Sequence, residues 1–138
     1  MEDKLILQIE DNENDITLTR MALKKCRIPN RITVARDGVE ALDFLFRKGV
    51  FAQRDPKDNP ALVLLDLKLP FIDGFEVLRQ IRADKSTSEI PVIVLTSSLE
   101  ETDQTKSREL GADQYYRKPV SFNKFTELIQ QICSDWLN

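Results

Sequence analysis

The chain has 138 residues, of which 31% are charged, a formal net charge of −3 and no histidine. That length suits one domain with a real core, and the lack of a basic excess argues against direct nucleic-acid binding. Without histidine, Ser-His-Asp and Cys-His catalysis and most zinc sites are excluded, which leaves carboxylate, lysine and hydroxyl chemistry with a hard cation.

Strand and helix signals alternate five times along the chain. The first strand is about Leu5 to Ile9 and runs into Glu10-Asp11. A helix starting near Asn14 takes Ile16, Leu18, Met21, Ala22 and Leu23 as apolar positions and stops before Pro29. The second strand is Ile32 to Ala35, and Asp37-Gly38 turns into a helix with Val39, Ala41, Leu42, Leu45 and Phe46 on one face. Lys48 to Pro60, with Gly49, Pro56 and Asn59, reads as a long exposed loop. Around Phe51 it is either a recognition insert or a tolerated surface loop. The third strand is Leu62 to Asp66, followed by a loop through Pro70 and Gly74 and a helix from about Phe75 to Ala83. Pro91 opens the fourth strand, which ends at Thr96, and a nearly all-polar helix, about Glu100 to Leu110, is capped by Gly111. The fifth strand, Gln114 to Arg117, precedes Lys118-Pro119 and a last helix from Ser121 toward Leu137.

Short runs rich in Leu, Val and Ile read as strands buried on both faces, as in a parallel sheet. The (βα)5 alternation implies right-handed crossovers and an α/β, doubly wound sheet with the flavodoxin-like strand order 2-1-3-4-5. No linker or repeat interrupts it, so residues 1–138 are expected to form a single domain with no output domain. The start, Met1-Glu2-Asp3-Lys4, is unlike a signal peptide, and no apolar run approaches the roughly 18 residues of a membrane span. The expectation is a cytoplasmic protein with no membrane contact, in which Cys26 and Cys133 are free thiols.

Ligands of such sheets bind beyond the carboxyl ends of the strands. With strands 1 and 3 adjacent, Glu10, Asp11 and Asp66 meet in one acidic pocket. Like charges raise at least one pKa unless something positive enters. Mg2+, or another divalent cation such as Mn2+, is the economical answer, and Lys118 adds a second positive charge. Any one of these aspartates could merely cap a helix; their ordered convergence with Thr96 and Lys118 is what points to phosphate chemistry.

The ordered set resembles the CheY-like receiver domain of response regulators, the phospho-accepting half of two-component signalling. The resemblance rests on Glu10-Asp11, Asp66, the LPFIDG segment from Leu69 to Gly74, Thr96, and Lys118-Pro119. More narrowly, the long loop after the second helix, LVLLDLKLP, VLTSS and the terminal helix resemble the small response regulators paired with cyanobacterial phytochromes. The resemblance implies that Asp66 takes a phosphoryl group from a histidine kinase phosphohistidine. It also implies a metal held by Asp11, Asp66 and the backbone carbonyl of Lys68, with Glu10 acting through water. Lys118 would offset phosphoryl charge, Thr96 would donate to the bound group, and Lys118–Pro119 would be cis. Tyr115 falls at an aromatic switch position, its plain alternative being a half-exposed edge-strand tyrosine. Lys68 departs from the usual neutral residue. It either acts at the site mouth or is a solvated loop lysine.

Two other functions fit parts of the pattern. A haloacid-dehalogenase-like aspartyl phosphatase also uses a strand-end Asp, but wants a second acid where Lys68 stands. A receiver-like module could also bind partners without phosphorylation. On the receiver reading the chain is a signalling protein, not an enzyme, with a kinase (a phytochrome in the narrower match) and a downstream protein target as partners. Output is expected from the fourth helix, fifth strand and fifth helix. The last helix carries an apolar band including Phe125, Trp136 and Leu137, wide enough to suggest an exposed patch and a homodimer.

Overall fold

The computed structural model describes residues 4–26, 30–98 and 100–137. Five strands, β1 (Lys4–Ile9), β2 (Asn30–Ala35), β3 (Leu62–Leu65), β4 (Val92–Thr96) and β5 (Gln114–Arg117), form one sheet in the order β2-β1-β3-β4-β5. Every pairing is parallel. The helices are α1 (Glu13–Lys25), α2 (Gly38–Phe46), α3 (Gly74–Ala83), α4 (Glu101–Glu109) and α5 (Phe122–Trp136). The expected fold is therefore the observed one, with boundaries displaced by a residue or two at most helix ends. Pro29, the expected stop of the first helix, lies outside the described residues, as does the Met1 to Asp3 start.

Strand residues alternate between two buried faces, as a period of two requires. Leu5, Leu7, Ile9, Val63, Leu65, Val92 and Val94 pack toward α2 and α3. Ile6, Leu62, Leu64, Ile93 and Leu95 pack toward α1 and α5. Removing one such side chain, Ile93→Ala for example, costs about 2–5 kcal/mol through lost burial and the cavity left behind. Met21 and Val39, which the periodicity assigns to apolar faces, are exposed instead.

Helix starts follow local chemistry. The side chains of Asn12, Asp37, Asp73 and Ser121 accept hydrogen bonds from amides of the first turns of α1, α2, α3 and α5. The segment read as a long exposed loop is more ordered than that. Gly49–Phe51 form a 3-10 turn. Arg54 then donates to the carbonyls of Phe44, Leu45 and Asp58 while its guanidinium stacks over the Phe44 ring.

The expected exposed band on α5 is not there. Phe125 and Leu137 are buried, at 4% and 7% exposure, and Trp136 is half-buried against the same core. The band is wide because α5 covers the sheet and also packs along α1, and Lys4 ties down the Leu137 carbonyl. A helix with two neighbours needs a broader apolar stripe.

Candidate functional site

Strand register sets the level at which the sheet delivers its site residues. The Asp66 amide donates to the Ile9 carbonyl and the Glu10 amide to the Ala35 carbonyl, so β1, β2 and β3 end level with one another. On β5, the Lys118 amide donates to the Thr96 carbonyl at 2.8 Å and fixes where that lysine leaves the sheet. Glu10, Asp11 and Asp66 each then offer a carboxylate oxygen within 4.8 Å of the others. Glu10 and Asp66 are buried and Asp11 is exposed, which leaves the cluster open on one side.

Lys118 enters from the opposite edge. Its Nζ donates to Glu10 at 2.5 Å, to Asp15 at 2.7 Å and to Asp66 at 3.3 Å. Asp15 was no part of the expected site. It sits in the first turn of α1, one turn past Asp11, and only the tertiary placement of α1 brings it to the ammonium. Burial alone would lower the lysine's pKa, but the charge of Asp66 and the bonds to Asp15 and Glu10 outweigh it and hold it raised. Glu10 shows the opposite conflict. Burial, and then the charge of Asp66, push its carboxyl up to about 7 despite the pull of Lys118. One ammonium bonds three carboxylates and Asp11 adds a fourth to the cluster, so the pocket retains unbalanced negative charge. A hard divalent cation, Mg2+ or Mn2+, fits that oxygen-only donor set.

The other expected residues fall around this centre. The Lys68 amide lies 3.4 Å from Asp66 Oδ1, which sets its backbone beside the carboxylate while its side chain is exposed. Thr96 ends β4 fully buried, and its hydroxyl accepts from the Ser98 amide at 3.3 Å. Tyr115 pairs with Val94 across the sheet and packs against the α2–α3 core, whereas Tyr116 packs on the α1–α5 side. The Tyr115 hydroxyl is buried beside Ser98, and burial raises its pKa. The Lys118–Pro119 bond, expected to be cis, is trans. Lys118 reaches its carboxylates from a trans backbone, so nothing opposes the ordinary trans preference of about 0.5–1 kcal/mol.

The comparisons with known proteins agree with this geometry. Response regulator Rcp1 of Synechocystis sp. is 38% identical over 134 residues, covering 97% of this chain and 89% of Rcp1. The crystal structure of its Mn(2+)-bound form matches with a TM-score of 0.89 at 37% identity, over 98% of this chain and 95% of that one. That of the phosphorylated cyanobacterial phytochrome response regulator RcpA matches with a TM-score of 0.92 at 36% identity, over 99% and 96% of the two chains. The bacteriophytochrome response regulator AtBRR is 49% identical with a TM-score of 0.79, over 94% and 92%. A family model described as the response regulator receiver domain matches residues 6–130. The chain belongs to the response-regulator receiver family.

Proposed function

We propose that Asp66 is the phosphoacceptor of a two-component response regulator whose donor is a histidine kinase phosphohistidine. The observation that carries this reading is the convergence of Glu10, Asp11 and Asp66 with the Lys118 ammonium at the carboxyl edge of the sheet. In the transfer, an Asp66 carboxylate oxygen forms the new P–O bond as the P–N bond to the donor imidazole breaks, and the imidazole leaves with the electron pair. A cation held by Asp11, Asp66 and the Lys68 carbonyl, with Glu10 alongside, would offset charge on the phosphoryl oxygens. Lys118 supplies the same kind of compensation from the protein itself. Thr96 then donates its hydroxyl to the bound group, and Tyr115 follows it as the switch.

Output comes from α4, β5 and α5, the elements next to Thr96, Tyr115 and Lys118. Such a surface signals only through a difference in partner affinity between its two states. RcpA and AtBRR are phytochrome and bacteriophytochrome response regulators by name, which supports a phytochrome-type kinase as the donor here. Among the described residues no helix is long and apolar enough to cross a membrane, and we place the protein in the cytoplasm as a phosphorylated signalling component.

Incubation with acetyl phosphate and Mg2+ tests the assignment. The expected product is one acid-stable, base-labile adduct, absent from Asp66→Asn and abolished by excess chelator. Undiminished labelling of Asp66→Asn would overturn it.

A further inference from the structure

Phe71 lies in the loop between β3 and α3, and it is 86% exposed. Its φ is +67°, and the Ile72 amide donates to the Pro70 carbonyl across it at 2.8 Å. A hydrogen bond spanning one residue of positive φ is the strained form of γ-turn, and phenylalanine has no local reason to adopt it. The neighbours impose it. At Gly38 a Cβ would fall 2.0 Å from the Ile72 carbonyl oxygen, so Ile72 is seated on bare backbone. At Gly74 a Cβ would fall 2.4 Å from the Asp66 carbonyl oxygen, and the Gly74 amide donates to Leu67 at 2.8 Å. The loop is thus pinned at both ends, and the strained residue between them presents its ring to solvent. Strain over-determined by its surroundings in this way is characteristic of functional segments. On the connection from β5 to α5, next to the lysine that reaches Asp66, Val120 is fully exposed at 100%.

We infer that Phe71 is the apolar anchor on which the phosphohistidine-bearing donor protein docks, with Val120 as the second apolar point of the same rim. The inference rests on the phosphoacceptor reading above. Asp66 is only 8% exposed, at the start of the β3–α3 loop that carries Phe71. A phosphorus atom carried on another protein must come within bonding distance of its carboxylate, so the carrier's surface has to lie on the loops around it. A downstream target or a second copy of this chain has no such obligation to cover this rim. An exposed aromatic ring that becomes buried in a partner's apolar surface is the usual form of an interface anchor. A small phosphodonor needs no surface at all, and that difference gives the test.

Phe71→Asn deletes the ring but keeps a residue that tolerates positive φ, and Phe71→Trp keeps an aromatic ring. Initial rates of Asp66 labelling are measured from acetyl phosphate and from the autophosphorylated histidine kinase that transfers fastest in a screened panel. With acetyl phosphate, Phe71→Asn should stay within about twofold of the parent, while kcat/KM from the kinase falls about tenfold or more, carried by KM. Phe71→Trp should recover to within about threefold of the parent with the kinase. Unchanged kinase transfer in Phe71→Asn overturns the inference, and so does an equal loss with both donors. So does a panel in which no kinase transfers to a parent that acetyl phosphate does label. A parent that acetyl phosphate does not label refutes the phosphoacceptor reading instead.

Discussion

Glu10 is a carboxylate placed where water is nearly excluded and beside a second acid, so folding and ionisation oppose each other there. Its carboxyl, raised from 4.5 to about 7 by burial and the Asp66 charge, keeps a proton that the unfolded chain has already released. Between those two values the folded state binds more protons, so stability falls as pH rises through that window and levels off above it. In chelator, the urea stability of the parent relative to Glu10→Gln should drop by on the order of 2 kcal/mol between pH 5 and pH 8. Excess Mg2+ should shrink that drop, because the cation stands in for the proton. A constant difference between the two proteins across the range would refute the assigned titration. Arg47 illustrates a different residue-level conflict. It ends α2 in a left-handed conformation, φ and ψ both 55°, where glycine is preferred. Arg47→Gly should therefore gain about 0.5–1 kcal/mol, read as a Tm rise of about 2–4 °C. Phe71 carries a similar backbone cost, but in the loop that opens with Asp66 rather than at a plain helix end.

The helices are held unequally, and that bears on which of them can move. α5 buries Phe125, Thr126, Ile129, Ile132 and Cys133, whereas in α4 only Ser107 is buried. Helices with few buried apolar contacts open at low free energy. Hydrogen exchange of the α4 amides should therefore be at least about tenfold faster than that of the α5 amides, which makes α4 the mobile part of the proposed output surface. Equal protection would place the switch elsewhere. Trp136→Ala should lower stability by about 1–3 kcal/mol through lost packing, with sedimentation unchanged, because that end of α5 is spent on its own core. Secondary structure and strand order were legible because period-two apolar runs separated by helical stretches admit few topologies. The organisation of the Lys48 to Pro60 segment was not, since Arg54 is pinned mainly by backbone carbonyls, which leave no side-chain pattern. The extra width of the α5 band was visible, but its cause, contact with α1 as well as the sheet, depends on tertiary placement.

Across the whole molecule, Lys118 ties together parts of the chain that are remote in sequence. Its ammonium joins the end of β5 to β1 through Glu10, to α1 through Asp15 and to the end of β3 through Asp66. The sequence pattern placed Lys118 beside Glu10, Asp11 and Asp66, but not beside Asp15, whose position follows from how α1 packs. Removing one partner from a buried ionic cluster leaves its charges uncompensated, at a cost of about 3–5 kcal/mol. Lys118→Met in chelator at pH 8 should lose stability toward the lower end of that range, because Glu10 can take up a proton as partial relief. Mg2+ and the ammonium neutralise overlapping sets of carboxylates, so each lessens the need for the other. Bound metal stabilises the fold by mass action, and the Tm gain on going from chelator to saturating Mg2+ should be larger in Lys118→Met than in the parent. That excess should diminish at pH 5, where a proton on Glu10 already removes part of the charge. Equal gains in the two proteins at pH 8 would mean that metal and lysine act on separate charges, contrary to the shared cluster described here.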